Sequence, residues 1–508
     1  MELRPYQIEA REAVLREWAE GHSKTLLCLP TGTGKTCVFS DVVRHRLSER
    51  GGKALILAHR AELLEQAQDK LYQVTGLSSA LEKAEYTSLG REEPVTVASV
   101  QTLCQSNRLK KFGPDAFHTV VVDEAHHSLS PSYQTILQHF APADVLGVTA
   151  TPDRGDHRAM GEYYDSLAYE YSMRDAIKDG YLCPIRAKML PVQVDLTEVK
   201  LSCGDYSADG LGEAIAPYLE EIAGVMAAEC RERKTVVFLP LVKMAKRFAE
   251  QLNAAGLRAA EVNGESEGRE QILADFEAGK YQVLCNAMLL TEGWDCPSVD
   301  CVVVLRPTKI RSLYTQMIGR GTRICPGKAD LLVLDFLYLT AKHDLCTPAS
   351  LFSGAEEVEE QMEKLLQSGE EWDMAEAEEQ AKRDVLAERE ASLAVQLESS
   401  RNKTSRTVDP LEFALSVAAE DIALYEPVFN WEFDPPTGKQ LACLRKWGIA
   451  TDAITCKGMA CVLIDKLMRR READLSTPKQ IRFLSQYGYD ASEWGFHKAS
   501  DMISRLIG

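Results

Sequence analysis

The stretch Thr25-Leu26-Leu27-Cys28-Leu29-Pro30-Thr31-Gly32-Thr33-Gly34-Lys35-Thr36 decides the fold. Thr25 to Leu29 is a short apolar, β-prone run of the kind buried inside a parallel sheet. The chain then passes through two glycines into a helix. A bound phosphate requires that hand-over. Gly32 and Gly34 let the backbone N–H groups of Thr31 to Thr36 converge on an anion, Lys35 supplies a point charge, and the Thr36 hydroxyl can ligate magnesium. Leu29 stands where the general pattern has its first small residue. The segment reads as a nucleotide site between a strand and a helix.

Working outward, short apolar runs alternate with helix-like segments at Thr25–Leu29, Ala54–Ala58, Val95–Ser99, Thr119–Val122 and Val145–Thr149. A second series follows at Thr235–Leu239, Ala259–Val262, Gln282–Asn286, Cys301–Leu305 and Leu331–Leu334. This rhythm predicts two successive α/β domains with parallel sheets. The run Thr119–Val122 leads directly into Asp123-Glu124-Ala125-His126. Adjacent carboxylates are ordinarily solvated surface. At the end of a buried strand, Asp123 is placed to hold magnesium through its water shell, and Glu124 to orient and deprotonate a water. His126 is either a packing residue or a link to Thr149-Ala150-Thr151 at the end of the next strand.

Leu3-Arg4-Pro5-Tyr6-Gln7, the glycine loop, Leu57-Ala58-His59-Arg60-Ala61-Glu62-Leu63, Asp123 to His126 and Thr149-Ala150-Thr151-Pro152 stand in order along the first half. Thr291-Glu292-Gly293-Trp294-Asp295 and Gln316-Met317-Ile318-Gly319-Arg320-Gly321-Thr322-Arg323 follow in the second. Over residues 1 to 345 this series resembles the motifs of superfamily 2 helicases. Within them it looks most like RadD-type and phage-borne DEAH helicases and type III restriction motors. The stretches Asp179-Gly180-Tyr181-Leu182 and Arg306-Pro307-Thr308 support that likeness.

The resemblance implies two tandem RecA-like domains, residues 1–185 and 186–350, with ATP and Mg2+ as cofactors. Gln7 would bond the adenine edge, with Leu3 or Arg4 on the ring and Asp295 near the ribose. Gln316, Arg320 and Arg323 would complete the catalytic set, the two arginines acting as fingers on the transferring phosphoryl group. His59, Arg60, Ser99, Gln101, Thr102 and Thr291 would line a nucleic-acid track and contact mainly phosphate and sugar. His126 and Gln316 differ from the residues of RNA-specific DEAD-box proteins, which favours DNA, whether single-stranded, duplex or forked. RNA, or an ATP-switched clamp or annealing scaffold that separates no strands, remain the alternatives.

The chain has 508 residues with 45% hydrophobic and 26% charged side chains, ordinary for a globular protein and too long for one small module. Its fourteen cysteines are scattered without a Cys-x-x-Cys pair, which predicts reduced packing residues rather than zinc ligands. No long apolar run or signal-like start is present, so no membrane partner and a cytoplasmic location are expected. The net charge of -18 disfavours phosphate binding, but residues 355–398 alone hold 15 acidic and 4 basic side chains. This block anchors an acidic helical linker, residues 351–430, read as a solvated spacer broken near Gly369.

The remaining residues, 431–508, read as a small all-α module containing a duplication. Thr437-Gly438-Lys439-Gln440-Leu441 recurs as Thr477-Pro478-Lys479-Gln480-Ile481, and Leu444, Trp447 and Gly448 match Leu484, Tyr487 and Gly488. Each copy predicts two helices, the first closed by its glycine. With 12 basic and 7 acidic residues in 437–508, the copies are expected to select a nucleic-acid structure or a protein partner. Arg445, Lys446 and Arg469-Arg470-Arg471 are the candidate phosphate contacts.

Overall fold

The apolar runs of the first half assemble into one seven-stranded, all-parallel sheet in the computed structural model. It describes residues 3–58, 61–150, 160–161, 163–202, 204–264, 266, 268–287, 294, 296–339, 345–352, 355–399, 407–425, 427 and 430–507. The strands are β1 (Lys24–Cys28), β2 (Ala54–Ala58), β3 (Ser79–Glu82), β4 (Val95–Ser99), β5 (Thr119–Asp123), β6 (Asp144–Thr149) and β7 (Ser166–Glu170). They lie in the order β3-β4-β2-β5-β6-β1-β7. Strands β2 and β4 are buried at every position, so their sequences are continuously apolar or small. Edge strands β3 and β7 are only partly covered and carry no such run, which is why the sequence did not announce them. The glycine loop follows β1, Asp123 ends β5, Thr149 ends β6 and Ser99 ends β4. All four therefore meet along the carboxyl edge of the sheet, where open α/β folds bind ligands.

A second sheet begins with β8 (Ile185–Asp195). After a small hairpin of β9 (Leu201–Ser202) and β10 (Asp205–Tyr206) come β11 (Thr235–Phe238), β12 (Ala259–Val262), β13 (Val283–Asn286), β14 (Cys301–Val304), β15 (Leu331–Leu339) and β16 (Trp372–Asp373). The sheet order is β12-β13-β11-β14-β15-β8-β16, parallel except for the antiparallel edge strand β16. Helices Ala208–Ile215 and Leu219–Glu229 bury Leu211, Ile215, Ile222 and Met226 in one core with Val237, Phe248, Val303 and Leu334. Cysteines sit in this core as packing thiols, with Cys230 and Cys301 Sγ atoms 3.7 Å apart.

The chain divides into two compact units, Met1–Gln380 and Ala381–Gly508, and both sheets belong to the first. The acidic block is therefore not a uniform spacer. Helix Glu356–Leu366 buries Val358, Met362 and Leu366, and β16 then pairs with β8, so the block's first half completes the second α/β domain. Between them the chain turns at Gly369, where φ is +77°.

The second unit begins to build its core before the duplication does. Val408, Phe413, Ala414 and Ile422 pack with Leu444, Ile449, Leu463 and Leu467. A module starting at residue 431 would lack one wall of that core. The duplicated part forms helices Gly438–Trp447 and Lys457–Glu472, then Pro478–Ser485 and Phe496–Ile507. Thr437 N–H donates to Gln440 Oε1 at 2.9 Å, and Gln440 N–H donates to Thr437 Oγ1 at 3.2 Å. Thr477 and Gln480 repeat this reciprocal cap at 2.8 and 3.4 Å.

Candidate nucleotide and nucleic-acid site

The loop after β1 takes the shape its glycines permit, with φ of +91° at Gly32 and +84° at Gly34. A Cβ at Gly34 would lie 2.8 Å from Gln7 Nε2. Lys35 and Thr36 open the helix Lys35–Arg50, half-buried at its positive end. Thr33 is buried, and its carbonyl accepts the Tyr6 hydroxyl and Gln7 Nε2, the latter at 2.9 Å. Gln7 Oε1 accepts Arg4 N–H at 2.9 Å. Gln7, expected at the adenine edge, thus has both ends of its amide engaged, one bracing the phosphate loop and the other capping its own helix, and is 4% exposed. The surface beside it is aromatic: Arg4 Cζ lies 4.8 Å from the Tyr181 ring centre, and Tyr6 stacks on Tyr171 at 4.5 Å. Leu3 is half-buried. Tyr181 entered the sequence reading only as part of a family stretch. Its place against Arg4 makes it a candidate wall for a base.

Asp123 and Glu124 leave β5 with an unusual backbone. Glu124 has φ 56° and ψ 62°, the left-handed region that costs a non-glycine residue roughly 1–2 kcal/mol. Its N–H donates to Asp123 Oδ1 at 3.1 Å, which orients the Asp123 carboxylate. His126 Nδ1 stands 3.5 Å from Glu124 Oε2, an ion-pair approach, and its ring lies 4.1 Å from that of His127. Strand β6 runs between β5 and β1, and Leu29 N–H donates to the carbonyl of buried Thr149 at 3.0 Å. Thr149 is therefore joined through its backbone to the start of the phosphate loop. Its expected companion Thr151 lies outside the described residues.

From the second sheet, helix Arg311–Gly319 and the residues after it reach the same loop. Thr322 Oγ1 donates to Thr31 O at 3.3 Å, and a Cβ at Gly319 would lie 2.6 Å from Thr31 Cβ. Arg323 Cγ lies 3.5 Å from the Cβ that Gly32 lacks. Gln316 and Arg320 are buried, and Arg320 Nη1 donates to Trp294 O at 2.6 Å. Burial lowers the pKa of the Arg323 guanidinium from its ordinary value.

Sequence reasoning missed Lys328, whose Nζ donates to the carbonyls of Gly321, Arg323 (2.9 Å) and Pro297 (3.4 Å). Burial lowers its pKa, and the neighbouring Cys183 opposes that fall. Six residues before Arg320, Tyr314 hydroxyl donates to buried Asp335 Oδ2 at 2.9 Å. Neither residue had a motif to mark it. Both are recognisable only once β15 lies beside the arginine segment.

The nucleic-acid candidates are less fully placed. Ser99, Gln101 and Thr102 occupy the turn at the end of β4. Ser99 is buried and donates to Gln101 Oε1 at 2.8 Å, and Thr102 Oγ1 accepts Ala84 N–H at 3.0 Å. His59, Arg60, Thr291 and Asp295 lie outside the described residues. One candidate in the second unit is corrected: Arg470 is buried and its Nη2 donates to Ser476 O at 3.3 Å and Ser492 O at 2.5 Å, so it clamps backbone instead of facing phosphate.

The glycine loop, the cation and hydroxyl at a helix start and the carboxylate pair on a nearby strand fit a magnesium–nucleotide. Lys35 and Thr36 would hold phosphate and metal, with Asp123 on the metal's water shell. Such a site, with the Gly319–Arg323 segment reaching its loop from a second parallel sheet, defines a two-domain P-loop nucleotide-binding protein of RecA-like fold. Residues 1–154 match the family described as type III restriction enzyme, res subunit, and residues 218–325 match the helicase conserved C-terminal domain. The chain belongs to the superfamily 2 helicases, with a first domain like that of restriction motors.

It is 31% identical over 377 residues to the putative ATP-dependent helicase IRC3 of Saccharomyces cerevisiae, covering 70% of this chain and 54% of that protein. It is 33% identical over 356 residues to the putative mitochondrial ATP-dependent helicase irc3 of Schizosaccharomyces pombe, covering 66% and 57%. The chain thus spans little more than half the length of these relatives. The structure of the ATP-dependent Type ISP restriction-modification enzyme LlaBIII bound to DNA shares the fold at TM-score 0.56 and 15% identity, covering 98% of this chain and 43% of that one.

Proposed function

We propose that the protein is an ATP-dependent DNA helicase or duplex translocase that couples ATP hydrolysis to movement on DNA in replication, recombination or repair. The observation that carries this reading is the contact of the second domain's Gly319–Arg323 segment with Thr31 and Gly32 of the phosphate loop. Groups needed for hydrolysis then come from both domains, so turnover depends on their arrangement and each cycle can move one against the other.

Bound MgATP would supply the phosphoryl group to be transferred and a metal charge to offset that of its oxygens. Lys35 and the loop N–H groups would bind phosphate, Asp123 would hold the metal through its water shell, and Glu124 would take the proton of the attacking water. Arg320 and Arg323 face the charge that develops on the phosphoryl oxygens. His126, next to Glu124, and Thr149, bonded to Leu29, connect this chemistry to the strand ends where Ser99, Gln101 and Thr102 lie. Two features support DNA as the track: the Asp-Glu-Ala-His form with Gln316, and the match of the first domain to a restriction-enzyme subunit. Among the described residues no helix is long and apolar enough to cross a membrane.

The test is ATP turnover with single-stranded, duplex and forked DNA and with RNA, alongside a strand-separation or triplex-displacement assay. DNA stimulation with displacement supports the reading. Stimulation by RNA alone replaces the substrate, and nucleotide-dependent binding without displacement leaves a clamp.

A further inference from the structure

The duplicated module has two copies with the same helices and different surfaces. In the first copy, Val408 lies alongside Ile449: Val408 N–H donates to Gly448 O at 2.8 Å, and Ala450 N–H to Val408 O at 2.7 Å. Ile449 is fully buried and Trp447 packs against the same core. Forty positions on, Tyr487 and Tyr489 occupy the matching places. They are 52% and 38% exposed, and among the described residues no segment pairs with Tyr489 as Val408 pairs with Ile449. Where the first copy has a covered apolar face, the second presents rings to solvent.

The rings of the second copy lie in pairs. Tyr489 and Trp494 have centres 6.1 Å apart, Tyr487 and Phe483 5.1 Å, and Phe496 is 39% exposed. Cations accompany them. Lys498 Nζ lies 4.2 Å from the centre of the Trp494 ring. Residues 474–476 run beside 494–496, with Ser476 N–H donating to Trp494 O and Phe496 N–H to Asp474 O, both at 2.8 Å. Arg470, at the end of the preceding helix, reaches across to Ser476 and Ser492. The clamp brings that helix end, with exposed Arg469 and Arg471, to the aromatic loop.

A purely apolar patch would suit a protein partner. Asp490 and Glu493 lie between the rings in sequence, and the cations come from outside that run, from Lys498 over Trp494 and from the clamped helix end; with 12 basic and 7 acidic residues across 437–508 on a chain of net charge -18, the face suits a partner with flat bases and a negative backbone. Bases inside a duplex have no free faces to stack. We propose that this face of the second copy binds an unpaired nucleic-acid strand, with bases stacked on Tyr487, Tyr489, Trp494 and Phe496 and phosphates paired with Lys498 and Arg471. The inference rests on the motor reading and deepens it by naming a strand site in the second unit, and it is tested without ATP so that the two fail separately.

The full chain is titrated, by fluorescence anisotropy, into a labelled thymidine oligonucleotide and into an abasic strand of equal length. Tyr487→Ala/Tyr489→Ala is compared with wild type and with Tyr487→Phe/Tyr489→Phe. Stacking of one base on an aromatic side chain is typically worth at least about fivefold in affinity, so the double alanine variant should bind the thymidine strand roughly 25-fold or more weakly. The phenylalanine pair should stay within about threefold of wild type, because the stacking ring is retained. On the abasic strand all three proteins should agree. Unchanged affinity of the alanine pair for thymidine, or an equal loss on the abasic strand, overturns the proposal. So does unchanged strand binding with altered self-association in sedimentation, which would make the face a protein interface. The circular dichroism spectrum and melting profile of the alanine pair should match wild type, which verifies folding, and its basal ATP turnover should be unchanged. Absence of DNA stimulation in wild type would count against the motor reading alone.

Discussion

Asp335 should make the second α/β domain less stable as pH rises through neutrality, and replacing it with asparagine should remove that dependence. Its carboxyl is buried in β15, with Phe336 N–H donating to Oδ1 at 2.8 Å and Tyr314 hydroxyl to Oδ2 at 2.9 Å. Burial outweighs both donors and raises its pKa from 3.8 to about 7. The folded chain therefore keeps this proton where the unfolded chain has lost it. Its contribution is fully present below about pH 4 and is lost progressively as pH climbs to about 7, a change of about 4 kcal/mol. An asparagine amide in its place would imitate the protonated acid at every pH. At pH 8 Asp335→Asn should be the more stable protein, by up to about 4 kcal/mol, or on the order of 10 °C in melting temperature. At pH 4.5 the two should differ by less than about 1 kcal/mol. Thermal unfolding followed by circular dichroism at several pH values measures this. A stability difference that stays constant between pH 4.5 and 8 would refute the reasoning.

Lys35→Ala should weaken nucleotide binding and turnover together, whereas Glu124→Gln should bind nucleotide normally and hydrolyse it slowly; near-normal turnover in Glu124→Gln removes Glu124 as the base. Arg320→Ala and Arg323→Ala should each lower kcat by about 10³-fold or more with little change in ATP affinity, since a finger acts on transition-state charge. A pure affinity defect in steady-state kinetics would argue against that role. Lys328→Met should release the carbonyls of Gly321 and Arg323 and lower kcat on the order of 10²-fold through misplacement of the arginines. ATP KM should hold nearly steady, and an unchanged kcat would make Lys328 merely structural.

Most interior strands were legible because full burial on both faces demands unbroken apolar runs, but β8, interior in its sheet and interrupted by Arg186, Lys188 and Gln193, was missed; the nucleotide loop was legible because few sequences can form that turn. Edge strands β3, β7 and β16 lacked the signal for the same physical reason, being half-exposed or short. The acidic block misled because its charge dominates its composition, while only Val358, Met362 and Leu366 at helical spacing report that its first helix is packed. In the second unit the duplication drew the boundary too late, since residues 407–423 have no repeat to betray them and join the core only in three dimensions. Arg470 shows the limit of reading charge from sequence. In a run of three arginines, the helix turns the middle one inward to carbonyl oxygens and its two neighbours outward.

Glu124 occupies a backbone conformation that glycine would adopt freely, so the chain is held there at a thermodynamic loss. Glycine at this position would relieve about 1 kcal/mol of that strain while removing the carboxylate. With Glu124 in the proposed role of base, fold stability and turnover are set against each other in one residue. Selection for thermal robustness alone would then drift toward glycine at the expense of turnover, whereas selection for turnover would keep the strained side chain and rely on the surrounding β-sheet to hold it.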